Sequence, residues 1–169
     1  DEADDRLVDV LLVDQVIQRV LARRHELVFH GSAVEVGGGA IAFLGPSGRG
    51  KSTLAAHLGA RGHPVLSDDC LRFEPVDGVD GARLIVHPAY PAVRLWADSL
   101  QEVAPAARDL PVAGADPRKR RLSDPTAIAF AAGPCPVGQV LFLAPSAASD
   151  GLRVEPLAGA AVIGELVGC

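Results

Sequence analysis

The chain has 169 residues, of which 49% are hydrophobic and 22% are charged, and its formal net charge is −5 at pH 7. The length suits one domain, and the composition is that of an ordinary globular protein, which excludes a disordered or fibrous chain. The mild acidity gives no electrostatic footprint for nucleic acid, and no apolar run approaches the roughly 18 residues that a membrane-spanning helix needs. We therefore expect neither nucleic acid nor a membrane as a partner.

The cysteines and the amino terminus favour a reducing compartment. Three cysteines at wide spacings, an odd number without a paired CxxC, indicate neither a disulfide framework nor a zinc site. The acidic residues 1–5 are unlike the basic start of a signal peptide, so we expect a cytoplasmic protein. Because the sequence contains no methionine, even at position 1, we expect it to be part of a longer translation product.

The first half of the chain predicts alternating helices and strands. Apolar residues at three- and four-residue steps predict an amphipathic helix over 6–24. Two β-rich runs, 27–36 and 40–44, are separated by three glycines and predict a hairpin. A second helix is predicted over 52–61, ended by a glycine, and a short strand follows over 65–67.

The second half predicts another hairpin, two helices, two strands and a polar loop that we expect to be mobile. In chain order these are hairpin strands at 71–75 and 83–86, a helix at 97–107, the loop at 105–125, strands at 137–143 and 152–154, and a helix at 158–167. Two hairpins among helices favour a mixed sheet over an all-parallel one. The predicted fold is therefore a single α/β domain over 1–169 with a mixed sheet.

A glycine-rich segment carries the clearest chemical signal. Residues 45–52 read Gly-Pro-Ser-Gly-Arg-Gly-Lys-Ser and match the P-loop (Walker A) pattern GxxxxGK[ST] at every specified position. Its glycines let backbone N–H groups surround phosphate oxygens at a helix amino terminus, while the lysine reaches the β- and γ-phosphates and the serine hydroxyl reaches Mg²⁺. The predicted nucleotide-binding residues are Gly45, Pro46, Ser47, Gly48, Arg49, Gly50, Lys51, Ser52 and Thr53.

The surroundings of this segment argue against a chance glycine-rich turn. A predicted strand over 40–44 enters it directly, and a predicted helix leaves it near Lys51. A strand before the loop and a helix after it are the context that the motif requires. We therefore predict ATP binding, with Mg²⁺ as its companion ion.

A pair of carboxylates follows one strand later. Asp68 and Asp69 come at the carboxyl end of the strand at 65–67, the edge where open α/β sheets bind ligands. One carboxylate can hold Mg²⁺ through water, and the other can accept a proton from an attacking hydroxyl, which contributes about 10²- to 10⁴-fold to a rate. The alternative interpretation of the pair is a solvated turn.

Two further features leave their roles open. His30 lies in the first predicted hairpin strand, where spacing alone favours a structural role over catalysis. The basic run 118–121 is either a solvated charge cluster or part of a loop that closes over a transferring phosphate. Spacing does not select among Lys119, Arg120 and Arg121 as the phosphate clamp.

The remaining aromatic and histidine residues give no site. Trp96 is the only tryptophan, and we expect its ring in the core, where most isolated aromatic residues pack. The other histidines form no group at metal-ligand spacing. They are His25, His57, His63 and His87.

The order of these motifs resembles a known family. His30-Gly31 precedes the segment 45–52, and Arg61-Gly62-His63 and then Asp68-Asp69 follow it. This order resembles the carboxy-terminal catalytic domain of HPr kinase/phosphorylase. Looser HPr-kinase-related proteins are similar over about 13–96, with shared features at Asp14-Gln15-Val16, Pro88-Ala89-Tyr90-Pro91 and Arg94-Leu95-Trp96.

The resemblance implies a fold similar to that of phosphoenolpyruvate carboxykinase and an ATP- and Mg²⁺-dependent phosphorylation of a serine on a protein or peptide. By position it implies that Lys51 binds phosphate, that Ser52 binds Mg²⁺ and that Asp68 supports the metal. It also implies that Asp69 accepts the serine proton and that His30 belongs to the active site. Because HPr kinases are hexamers, the resemblance implies a homo-oligomer.

The chain departs from this family at one position. The bifunctional enzymes carry a metal-binding glutamate in a Glu-Ile-Arg-Gly stretch, whereas residues 92–95 here read Ala-Val-Arg-Leu. A second metal contact, the reverse phosphorylase reaction and HPr as the substrate are therefore not carried over. Relatives include kinases of precursor peptides of ribosomally made natural products, lasso peptides among them, so a precursor peptide is one candidate acceptor.

Three hypotheses follow. The first is a serine kinase in which Asp69 deprotonates the acceptor while Lys51 and Mg²⁺ hold the γ-phosphoryl group. The second, supported by the missing glutamate, is a regulatory module that binds ATP without transferring phosphate. The third, a small-molecule kinase or carboxykinase, is motivated by fold alone.

Overall fold

The helices and strands are taken from a computed structural model that describes residues 12, 16–78, 81–107, 110–113, 116–144 and 151–167. The helices are α1 (Ile17–Arg23), α2 (Lys51–Ala60), α3 (Ala97–Val103) and α4 (Ala160–Val167). The strands are β1 (Leu27–Phe29), β2 (Gly31–Val36), β3 (Gly39–Leu44), β4 (Val65–Asp68), β5 (Leu71–Gly78), β6 (Gly81–Val86), β7 (Val93–Trp96), β8 (Lys119–Leu122) and β9 (Cys135–Phe142).

Seven of these strands form one mixed sheet in the order β1-β5-β6-β9-β3-β2-β4. Among the described strand pairs, β3 and β9 run parallel, and the other neighbours run antiparallel. Strands β7 and β8 form a separate antiparallel ribbon. The predicted α/β class with a mixed sheet is confirmed.

The two ends of the large sheet meet at a corner that carries predicted site residues. A single residue, His30, separates β1 from β2, and two residues, Asp69 and Cys70, separate β4 from β5. On one side of this break β2 pairs with β4, and on the other side β1 pairs with β5. The same two chain segments therefore continue across the corner, and the sheet curls until its edges adjoin.

Alternation along the strands builds two apolar layers. Val34 and Phe43 pack in a cluster with residues of α2 and β7. Their neighbours Ala33 and Leu44 point the other way, into a cluster with Leu71 of β5 inside the curled sheet. Because successive strand side chains face opposite sides, one short strand supports both layers. Both faces of the central strands are thus buried, and α2 is fixed beside the corner.

Most predicted elements of the first half are confirmed. The hairpin of β2 and β3, the helix α2, the strand β4 and the hairpin of β5 and β6 all lie where the sequence predicts them. The run 27–36 is not one strand, because it breaks at His30 where the sheet turns its corner. Of the predicted helix 6–24, the described part is α1, which has no buried side chain, and most of the remainder lies outside the described residues.

The second half contains two corrections. The predicted loop 105–125 contains the strand β8, which pairs with the unpredicted strand β7 and buries Leu122 against the α2 side of the core. The predicted strand at 152–154 does not form within the described segment 151–167, because Leu152 is 97% exposed and has no apolar surface to pack on. The predicted helix 158–167 and strand 137–143 are confirmed as α4 and β9, whereas the helix predicted over 97–107 ends earlier, at Val103 in α3. Among the described helices, none has the length and hydropathy to cross a membrane.

Candidate functional site

The glycine-rich loop, residues 45–50, joins the end of β3 to the start of α2. Gly45 has a φ of +128°, and a Cβ there would lie 2.8 Å from the carbonyl oxygen of Leu143. Gly50, the residue before α2, has a left-handed φ of +83°. Both positions therefore require glycine for backbone reasons. The loop leaves the first N–H groups of a ten-residue helix without intrahelical partners, as an anion-binding helix terminus requires.

Lys51 begins α2 and folds back against the loop. Its side chain is 6% exposed, and Nζ donates hydrogen bonds to the carbonyl oxygens of Gly45 at 2.7 Å and Pro46 at 3.0 Å. A buried ammonium with these contacts is held at the loop. The ammonium therefore lies at the loop that the sequence predicts to bind phosphate.

A cleft of about 440 Å³ opens beside this loop. Its walls bring together most of the predicted site residues. They are His30, Ser47, Gly48, Arg49, Gly50, Lys51, Ser52, Thr53, Asp69 and Lys119, and the cleft also has Leu54, His57, Arg94, Trp96 and Ser99 in its lining. The walls therefore carry several cationic side chains together with one carboxylate.

Asp68 accepts two hydrogen bonds, one on each carboxylate oxygen. The Ser32 hydroxyl donates to Oδ1 at 2.6 Å, and the backbone N–H of Arg94 donates to Oδ2 at 2.9 Å. Burial, and then the neighbouring charge of Asp69, raise the pKa of Asp68 from 3.8 to about 6, against the lowering effect of these bonds and of the nearby Ser52 hydroxyl. The two residues predicted to hold Mg²⁺ therefore lie near each other.

Asp69 occupies an unusual backbone conformation at the sheet corner. Its φ is +72°, in the left-handed region that a non-glycine residue rarely adopts, although aspartate tolerates it better than most. The conformation costs free energy, and such outliers are concentrated at functional sites. The side chain, 16% exposed, turns toward the Arg94 guanidinium, with Asp69 Oδ2 2.6 Å from Arg94 Nε. Within the described residues Oδ2 has no hydrogen bond of good geometry, so the contact is an ion pair alone.

His30 lies directly across the corner from Asp69. Its Nδ1 is 3.0 Å from the main-chain carbonyl oxygen of Asp69. Because a carbonyl oxygen only accepts, this hydrogen bond requires the proton on Nδ1. His30 lines the cleft and also supports the strained backbone of Asp69, so the structural and the active-site interpretations of this residue coincide.

The structure separates the residues of the basic run. Lys119 lines the cleft, whereas Arg120 lines another cavity, against α3, and donates to the carbonyl oxygen of Pro117 at 2.6 Å. The guanidinium of Arg121 lies 5.6 Å from the centre of the Tyr90 ring. Of the three predicted clamp residues, Lys119 alone is brought to the cleft.

Trp96 does not lie in the core, so that prediction is wrong. Its side chain is 37% exposed and lines the cleft. Arg118 Cζ and Lys119 Nζ lie 4.8 Å and 5.2 Å from the ring centre, within the range of a cation–π contact. The reason is the register of the ribbon, which places Trp96 opposite Lys119 at the end of β7.

Three residues of this region, Ser32, Arg94 and Ser99, have no role predicted from the sequence. Ser32 is fully buried in β2, and the register that pairs it with Asp68 cannot be deduced from either segment alone. Ser99 Oγ lies 2.9 Å from Thr53 Oγ1 and joins α3 to α2 beside the loop. The one local signal is a polar residue among the apolar residues of β2, and because Glu35 in the same strand gives the same signal, it does not single out Ser32.

The oxygen donors at Ser52 and Asp68 fit a magnesium ion. Mg²⁺ takes oxygen ligands and in nucleotide sites uses one or two protein groups, with water and phosphate oxygens completing its shell. In the described part of the chain there is no group of three or more His, Cys, Asp or Glu side chains that could hold a metal. The two residues thus suit a metal that arrives with phosphate and do not form a complete protein cage.

These features define a mixed α/β fold with a glycine-rich loop at a helix amino terminus, with Asp69 in the lining of the adjacent cleft and its neighbour Asp68 outside that lining. A solved structure with a similar fold is that of the HPr(Ser) kinase/phosphatase from Coxiella burnetii, at 15% identity and a TM-score of 0.47, covering 78% of this chain and 73% of that one. At this level the likeness carries no weight for activity. No family model matches the sequence, and no curated protein matches it.

Proposed function

We propose that this protein is a kinase that uses ATP and Mg²⁺ to phosphorylate a serine hydroxyl of a protein or peptide. The observation that carries this proposal is the position of Asp69, whose side chain lines the same cleft as the glycine-rich loop and the start of α2. A carboxylate beside bound phosphate can accept the proton that an attacking hydroxyl releases.

Each part of the cleft has one task in this proposal. The backbone N–H groups of 47–51 and the ammonium of Lys51 hold the β- and γ-phosphates. Ser52 and Asp68 hold Mg²⁺, which, when bound, neutralises negative charge on the phosphates. Arg94 orients the Asp69 carboxylate through their ion pair, 2.6 Å long.

The transfer step is an in-line displacement. The serine oxygen forms a bond to the γ-phosphorus, and the bond from that phosphorus to the oxygen that bridges it to the β-phosphate breaks. The electron pair of the broken bond leaves with ADP, and the serine proton moves to Asp69. The products are phosphoserine, ADP and a proton, so atoms and charge balance.

The decisive variant is Asp69→Asn, which keeps the size of the side chain and removes its basicity. We expect phosphoryl transfer to fall by about 10²-fold or more while ATP affinity stays within a few-fold of wild type. The measurement is intact-mass spectrometry of an acceptor panel, which includes HPr and serine peptides, incubated with ATP and Mg²⁺. Asp77→Asn, at an exposed position near the far end of β5, is the matched control and should retain full activity.

Two outcomes would contradict parts of this proposal. Full activity in Asp69→Asn would remove Asp69 as the proton acceptor. If ATP binds by calorimetry but no acceptor gains one phosphate, the chain is not a kinase toward those acceptors. In that case the second candidate function moves ahead.

The second candidate is a regulatory module that binds ATP without transferring it. One observation favours this alternative, namely that the Arg94 guanidinium already contacts Asp69. This ion pair occupies the carboxylate that a kinase would use to accept a proton. Arg94→Gln distinguishes the two functions. A non-transferring module should show no phosphoryl transfer either as wild type or as this variant, whereas in a kinase the substitution should change a measurable transfer rate.

A further inference from the structure

A second cavity lies on the other side of Asp69. It has a volume of about 270 Å³ and lies between α1, the corner at 68–70 and the segment 87–90. Asp69 and Arg94 line both this cavity and the cleft beside the glycine-rich loop. The proposed proton acceptor therefore faces two compartments, of which the loop cleft is the one suited to ATP.

The walls of this second cavity are largely apolar. Ile17 and Leu21 of α1 and Ala89 contribute aliphatic surface. Cys70 adds a thiol to the same wall. Tyr90 stands at the edge with 53% of its surface exposed. An apolar side chain of a bound partner could therefore be buried here, because it has no hydrogen bonds with water to lose.

The two basic groups that this cavity does not share with the cleft, Arg72 and His87, contact acidic residues outside its lining. Arg72 Nε lies 2.8 Å from Glu26, and His87 Nε2 lies 2.6 Å from Glu74. These pairs leave the guanidinium and the imidazole engaged, so neither is arranged to receive an anionic metabolite. The cavity differs in this respect from the loop cleft, whose walls carry Lys51 and Lys119.

Exposed apolar side chains extend this surface beyond the cavity. Ile17 is 45% exposed at the mouth, and Val16 beside it is 43% exposed. Together with Tyr90 they form an apolar margin, and exposed apolar surface next to a cavity is typical of a protein interaction site. A polypeptide would cover both the cavity and this margin, whereas a small metabolite would cover the cavity alone.

We propose that this cavity, called here the α1 cavity, receives the acceptor polypeptide and binds an apolar side chain directly next to the phosphorylated serine. The inference rests on the proposed kinase function and specifies its substrate. With the serine hydroxyl at Asp69, the neighbouring residue is displaced by about 3.8 Å along the chain, which brings its side chain to the wall that Asp69 shares with the α1 cavity. Serine peptides with a charged residue at that position would be poor substrates.

The test uses synthetic peptides and a matched pair of variants. Each peptide has one central serine in a glycine background, and one flanking position carries Leu, Lys or Asp. Ile17→Glu adds a charge at the mouth of the α1 cavity, whereas Val20→Glu adds the same charge on the same helix, at a residue that is equally 45% exposed and does not line the cavity. Phosphopeptide yield is measured by mass spectrometry, and peptide binding is measured by calorimetry with a non-hydrolysable ATP analogue.

The wild-type protein should prefer the Leu peptide by about tenfold over the Asp peptide. Ile17→Glu should lose about tenfold with the Leu peptide and improve with the Lys peptide, whereas Val20→Glu should match wild type, and both variants should keep their ATP affinity. Equal use of all peptides by wild type, or equal effects of the two variants, would overturn the proposal. Absence of transfer together with analogue-dependent binding of the Leu peptide would reject the kinase function and leave the α1 cavity as a peptide site. Absence of both transfer and binding would reject the α1 cavity as well.

Discussion

The cleft beside the glycine-rich loop and the α1 cavity share Asp69 and Arg94, yet their other walls come from different parts of the chain. Most of the cleft lining is one continuous segment, 47–54. The α1 cavity is assembled from four separate segments, of which α1 and 87–90 lie far apart in sequence. The cleft is therefore built by local geometry, and the cavity is built by tertiary packing.

The two compartments also differ in charge. The cleft walls carry Arg49, Lys51 and Lys119. The α1 cavity instead has Asp68 in its lining, and its Arg72 and His87 contact acidic residues outside that lining. Positive charge around a helix amino terminus favours an anion, and a neutralised apolar wall favours an uncharged side chain. A single shared carboxylate thus separates a compartment suited to phosphate from one suited to a polypeptide.

The largest expected effect comes from Lys51→Ala, which removes a cation from the cleft and nothing from the α1 cavity. Loss of a preorganised donor to transferring charge lowers turnover by about 10²- to 10³-fold, and we also expect ATP affinity to fall by at least about tenfold. Calorimetry measures the affinity, and the same titration with the Leu peptide and no nucleotide should be unaffected. Because Lys51 is 6% exposed, a thermal melt must confirm that the variant is folded. Unchanged ATP affinity in a folded variant would contradict the assigned role of Lys51.

This difference in construction explains how much of the site could be predicted. The roles predicted for Lys51 and Ser52 rest on spacing within eight residues, and the structure confirms the local elements that this spacing predicts, a loop followed by a helix. The contact of Ser32 with Asp68 joins residues 36 apart, and that of Arg94 with Asp68 joins residues 26 apart. Both contacts depend on the register of the paired strands, because a shift of one residue would turn every side chain of a strand to the opposite face of the sheet.

The fold was predictable to a similar extent. Hairpins such as β2 and β3 were identified because alternation and glycine turns are local signals. Strand β8 was missed because its residues Lys119–Leu122 are mostly charged, and a single buried side chain, Leu122, fixes them against β7. The same pairing explains why Trp96 was wrongly expected in the core. The stretch 152–154, which reads Leu-Arg-Val, forms no strand because a strand also needs burial and Leu152 is 97% exposed.

Asp68→Asn tests the buried member of the carboxylate pair through the pH dependence of stability. The pKa of Asp68 is raised from 3.8 to about 6 in the folded protein, so the folded state keeps its proton to higher pH than the unfolded state. The stability that this provides is complete below about pH 4 and is lost as the pH rises through about 6, on the order of 3 kcal/mol in all. The free energy of unfolding of wild type, measured with urea, should therefore decline across this window more steeply than that of Asp68→Asn.

Asp77→Asn is again the control, because it removes an exposed carboxylate that has no such environment. Its stability should follow the wild-type pH profile. Identical slopes for wild type and Asp68→Asn between pH 4 and 6 would mean that Asp68 is not the group that holds the proton. If the free energy of unfolding of Asp68→Asn declined more steeply than that of wild type, the raised pKa would belong to another group.

The smallest expected effect separates two cations of one strand. Lys119 lines the cleft, and Arg120 lines the cavity against α3, so Lys119→Gln and Arg120→Gln remove the same charge from different compartments. A charge near bound phosphate but open to solvent is screened by salt, so Lys119→Gln should weaken ATP binding by about threefold to tenfold at low salt and less at high salt. Arg120→Gln should leave ATP affinity unchanged at both. Equal weakening by the two variants would mean that ATP responds to the overall charge of the ribbon, and the distinction between the cleft and its surroundings would then not extend to β8.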